Sequence, residues 1–199
     1  LAFGTLNTNF SQLPFNPIPP ISKNPNPGSG VGTLANIDCG AGTTTGSYLG
    51  CYTSVSTWGN AIGVSNYAAD YSITMGVSAN AAGEHAVALG TEAHAPADYD
   101  TSVGRGAGGN ATNSGKNVYV GGWSGQSSDG SNNTAIGYSA GMSATGSDNV
   151  FIGYQAGKDT TGSDKLYISN SETTNLITGD FSTGQLDLGQ TSGTVTALN

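Results

Sequence analysis

The stretch NTAIGYSAG at 133–141 is followed sixteen residues on by NVFIGYQAG at 149–157. The constant part is an aliphatic residue followed by glycine, and it can be counted through the chain. It recurs at Ile62-Gly63, Met75-Gly76, Leu89-Gly90, Val103-Gly104, Val120-Gly121, Ile136-Gly137 and Ile152-Gly153. The steps are 13, 14, 14, 17, 16 and 16, and an eighth register falls at Ile168-Ser169 with the glycine lost. Two sub-arrays therefore join near residue 110, one of coils near 14 residues and one of 16.

Other positions keep the same phase. Alanine stands three residues after the glycine at Ala79, Ala93, Ala107, Ala140 and Ala156. Two residues before it lie Ala61, Thr74, Ala88, Ser102, Tyr119, Ala135, Phe151 and, in the eighth register, Tyr167. The turns GSNN (130–133), GSDN (146–149) and GSDK (162–165) each precede four residues of strand character. A period of this length is too short for a helix pair and fits one turn of a β-solenoid. β-branched and aromatic residues suit its strands, and Gly, Asn and Asp supply the positive φ of tight corners. One coil cannot bury an apolar face alone, whereas stacked coils can. The aliphatic residue of each pair is expected to point inward. Eight coils at the strand spacing would make a rod roughly 35–40 Å long.

Composition narrows the function. The chain has 199 residues, 32 of them glycine, with five Lys and Arg against thirteen Asp and Glu and a net charge of −8. That balance disfavours nucleic acid, which needs clustered cations, and anionic membrane surfaces equally. No run of about 18 apolar residues is present to span a bilayer. Apolar residues make up 36% of the chain, and its aromatic residues are spread along its length in register, which argues for a folded array over disorder.

The expected organisation is a Pro-rich extended N-terminal arm over 1–35, a cysteine-closed connector over 36–58, β-solenoid repeats over 59–169 and a C-terminal β cap over 170–199. Six of the seven prolines lie in the first region, where they block helix and central strand. Leu1, Phe3, Leu6, Phe10, Leu13 and Phe15 make it apolar enough to dock, and a neighbouring subunit is one candidate. Cys39 and Cys51 flank a Gly-rich spacer and are a candidate disulfide. With a start at Leu1, that pair fits a secreted protein whose leader has been removed; two unrelated thiols in a fragment are the alternative.

Catalytic signals are sparse. His85 and His94 differ in phase, so they should not meet, and both read as solvent-facing loop residues. No G-x-S-x-G elbow exists; GGWSG (121–125) lacks the spacing. Asp98, Asp100, Glu92 and Asp129 could contribute oxygens to calcium, but Asx turns explain them without a metal. Asp98 and Asp100 are the only close carboxylate pair for sugar hydrolysis. No cofactor motif is present. Trp123, Tyr138 and Tyr154 follow a glycine at or near one phase and form a candidate surface aromatic ladder. Such rings either stack on sugars or on one another as structural cover.

The coils VSANAAGEHAVALG (77–90) and TEAHAPADYDTSVG (91–104) resemble the head repeats of YadA-type trimeric autotransporter adhesins. The later coils, and KLYISNSETTNLITGDFSTGQLDLG at 165–189, are similar to phage tail-fibre repeats and the segment after them. The resemblance spans roughly 60–190 and implies a left-handed β-roll assembling as a homotrimer. No coiled-coil stalk or membrane anchor accompanies it. The expected function is a structural, adhesive subunit of an extracellular fibre, without catalysis, that polymerises through its arm and meets a cell-surface glycan or receptor. The alternative is a bacteriophage tail-fibre shaft or receptor-binding domain.

Overall fold

In the computed structural model, residues 47–50, 52–112 and 115–189 are described. The arm over 1–35 and the Cys39–Cys51 pair lie outside them. The described residues contain strands and turns and no helix.

Nine strands stack in parallel: β1 (Ser47–Leu49), β3 (Asn60–Val64), β5 (Ile73–Val77), β7 (Val87–Leu89), β9 (Thr101–Val103), β10 (Val118–Val120), β11 (Thr134–Ile136), β12 (Val150–Ile152) and β13 (Lys165–Ser169). A second sheet of four short strands, β2 (Ser54–Val55), β4 (Tyr67–Ala68), β6 (Asn80–Ala81) and β8 (His94–Ala95), closes the earlier coils. This is a β-solenoid of about 8 turns. The beat residues are register partners: Ile62 pairs with Met75, Met75 with Leu89, Leu89 with Val103, Val120 with Ile136 and Ile136 with Ile152. The ladder begins inside the 36–58 stretch, because Leu49 pairs with Ile62. After β13 the chain turns back into antiparallel β14 (Asn175–Asp180) and β15 (Gln185–Leu188). Lys165 Nζ meets Asp180 Oδ2 at 2.6 Å and ties β13 to β14.

The glycine of each pair is obligatory. Gly137 has φ of 134°, and a Cβ built there would lie 2.3 Å from the carbonyl oxygen of Gly153. The same holds up the column, each glycine meeting the next coil's backbone. Only a residue without Cβ permits that approach.

The aliphatic partner does not point inward. Ile62, Met75, Ile136 and Ile152 are all exposed, whereas Ala61, Thr74, Ala135 and Phe151, one residue earlier, are buried. Strand alternation forces one of the two neighbours outward. The lumen admits the smaller set, with Ala61, Thr74, Ala88 and Ser102 filling the narrow coils. The 16-residue coils are wide enough for rings: Tyr119 and Phe151 are buried, and Phe151 stacks on Tyr167 at 5.8 Å. Gly125 and Gly157 make that room, since a Cβ on either would strike the Tyr119 or Phe151 ring. The alanines three after the beat glycine, Ala79, Ala93, Ala107, Ala140 and Ala156, are fully buried.

Gly137→Ala should cost on the order of 3 kcal/mol or more in denaturant unfolding, through backbone collision. A near-neutral result would mean that the coils are not in backbone contact. Thr74 Oγ1 is buried without a hydrogen-bond partner. Thr74→Val should therefore raise stability by roughly 1 kcal/mol, and a loss would mean the hydroxyl is bonded in solution.

Candidate functional site

The outward face of the long sheet carries two columns of side chains. One holds the beat residues Ile62, Met75, Leu89, Val103, Val120, Ile136 and Ile152. The other, two residues earlier, holds Ile73, Val87, Val118 and Val150, with Asn60, Thr101 and Thr134 at that position in β3, β9 and β11. Ile62, Ile73, Met75, Ile136 and Ile152 stand exposed, and the remaining beat residues are half-buried. The outward strand positions from Asn60 to Ile152 hold no charged residue. An uncharged, largely apolar strip of that kind is the mark of an interaction surface.

The corners are columns as well. Trp58, Tyr71, His85, Tyr99, Lys116, Asn132, Asp148 and Asp164 share one corner with φ of 56–64°. The left-handed conformation is costly for bulky residues. It is held here by bonds between coils: the amides of Tyr71, His85 and Tyr99 donate to the carbonyls of Thr57, Asp70 and Glu84. The Tyr71, His85 and Tyr99 rings consequently stack, with centroids 5.0 and 5.2 Å apart. The sequence reading missed this ladder, although the 14-residue step from Tyr71 to His85 and on to Tyr99 could have revealed it.

The anticipated ladder of Trp123, Tyr138 and Tyr154 is present as a set of ring contacts. Tyr138 stacks on Tyr154 at 5.6 Å and meets Trp123 edge-on at 5.2 Å. The Arg105 guanidinium lies 5.2 Å from the Trp123 ring centroid and extends the series by one coil. Both tyrosines remain about half exposed, at 45% and 50%.

A third column is polar and buried. Asn117 Oδ1 accepts the Asn133 amide at 2.9 Å, Asn133 Oδ1 accepts that of Asn149 at 3.0 Å, and Asn149 Oδ1 that of Lys165 at 2.8 Å. The other end of each asparagine donates to a turn glycine carbonyl, Gly130, Gly146 or Gly162. Each asparagine stands four residues before its beat glycine, and that phase is the signal by which they could have been found.

Asp100 occupies the same phase where the coil length changes. Its Oδ1 accepts from the Asn117 amide and Nδ2, and its Oδ2 from the Ala97 amide at 3.0 Å. Burial outweighs these donors and pushes its carboxyl up. Asp98 accepts the Glu84 amide at 2.9 Å. These carboxylates thus serve backbone donors, and among the described residues no group of three or more His, Cys, Asp and Glu is arranged to hold a metal. His85 and His94 do not meet. His94 is not a loop residue: it sits half-buried in β8, where burial holds its imidazolium below the usual range.

Residues 68–93 and 81–107 match the YadA head domain repeat, in two copies. The coils over 68–107 are thus similar to YadA head repeats. No curated protein and no solved structure matches the chain. Each matched copy spans about two coils and the second is shifted by one coil, so together they cover the three coils that β4 to β9 build.

Asn133→Asp tests the buried column. It places a carboxylate oxygen against the Gly146 carbonyl in place of the donor amide. Stability at neutral pH should fall by roughly 1–3 kcal/mol. Burial and the facing carbonyl would raise the folded pKa of that carboxyl, so the loss should shrink as pH falls and its hydroxyl can donate. A penalty that does not change between neutral and acid pH would remove the assigned role of Nδ2.

Proposed function

We propose that three copies of this chain pack their long sheets around a common axis to form a structural and adhesive rod on the outside of a cell or virion. The carrying observation is the uncharged face of the parallel ladder, where a full column of aliphatic side chains runs beside a second, partly aliphatic one. Roughly a dozen such side chains, each gaining on the order of 1 kcal/mol on full burial, can outweigh an association cost of about 4–15 kcal/mol per partner. The YadA head repeats over 68–107 support the same reading, because proteins of that type are trimeric, surface-exposed adhesins. The left-handed winding implied by those repeats belongs to this proposal. So do a surface location and the absence of catalysis.

The tail-fibre reading draws support from the antiparallel β13–β15 end, which covers the stretch similar to tail-fibre segments. Both settings require the same trimer. In the adhesin setting, the segment over 1–35 would join one trimer to the next.

Light scattering should give three times the 19.8 kDa chain mass. Ile136→Asp combined with Ile152→Asp should give the single-chain mass with an unchanged far-ultraviolet circular dichroism spectrum, because both side chains lie outside the lumen. A monomeric wild-type protein would overturn the reading.

A further inference from the structure

Where the shorter coils give way to the longer ones, the outer surface is notched. The corner residue two after the beat glycine is Glu92 in one coil, Gly106 in the next and Trp123 in the one after. Four after the beat glycine, Asn80 and His94 are followed by Gly108, where the second sheet stops. Coils with long side chains thus bracket one whose Gly106 and Gly109 have none. The result is a cleft of about 320 Å³, floored by those glycines and walled by Asn80, Glu92, His94, Asn110 and Gln126. A Cβ on Gly106 would lie 2.6 Å from Trp123 Cδ1, so the indole rests directly against the floor residue.

We propose that this cleft binds an uncharged, hydroxyl-rich ligand: the terminal sugar of a neutral glycan. The amides of Asn110 and Gln126 each offer a donor and an acceptor, the pairing that sugar hydroxyls satisfy in both directions. The neutral His94 ring adds one of each. Glu92 is the only carboxylate on the walls, and Arg105 Nε stands 4.0 Å from it, so the local charges offset and neither an anion nor a cation is favoured. The inference deepens the adhesive part of the proposed function and rests on it. The cleft is on a corner, off the outward face of the long sheet, so binding and trimer formation can be measured separately.

Saturation-transfer NMR on the full chain, with methyl glycosides of glucose, galactose, mannose, fucose and N-acetylglucosamine, provides the test. N-acetylneuraminic acid serves as the charged control. At least one neutral glycoside should bind with a Kd of about 10 mM or tighter, and the acid more weakly. Gln126→Ala and Glu92→Ala should each weaken that binding roughly five-fold, while Tyr154→Ala should not change it. No saturation by any neutral glycoside would overturn the inference. So would binding lost in Tyr154→Ala and kept in the other two, which would move the site to the ring ladder. Light scattering on the same samples separates the two readings. A trimer without glycoside binding overturns only the cleft, and a glycoside-binding monomer overturns only the assembly.

Discussion

Backbone contact between the glycines of successive coils sets the geometry on which the rest depends. At each beat position the chain turns with positive φ, and the carbonyl of the next coil fills the space a side chain would need. Closeness there brings the parallel strands into register and aligns every other position in the coil. Interior, outward face and corners are therefore columns, and each can be occupied by a different chemistry. The lumen takes alanine and hydroxyl residues or rings, according to coil length. The outward strand face takes aliphatics. The corners take residues whose backbone strain is offset by amides bonded to the coil before.

The polar ladder shows how this geometry uses an otherwise expensive buried group. An asparagine has one acceptor and one donor end, and the coil presents one amide and one carbonyl at matching places. Where the coil length changes, the carbonyl is replaced by the Ala97 amide, and the sequence has Asp100, whose two oxygens both accept. A single residue therefore marks the joint between sub-arrays. Its carboxyl is buried and costs desolvation, which is tolerable because three donors face it.

Much of the architecture was legible in the sequence because the period is a covalent fact. The pair Ile136-Gly137 and its repeat at Ile152-Gly153 give coil length, register and the need for glycine without any structure. Orientation was not legible in the same way. An aliphatic residue in a strand reads as core, and only the width of the lumen shows that Ile62 is outside and Ala61 inside. Leu49-Gly50 stands thirteen residues before Ile62-Gly63 and belongs to the same beat, but the neighbouring Cys51 makes that stretch read as a connector. The Glu92–Gln126 cleft could not be read from spacing at all, since it arises from missing side chains between coils of unequal length.

The nearly constant offset between paired strands bears on how such a chain reaches its native state. Each new coil closes a loop of 13 to 17 residues, whatever its position along the array. The entropy of that closure varies only slightly over such a range. Winding can thus proceed as a zipper from any formed pair of coils, and duplicating a coil lengthens the rod without adding a slower step.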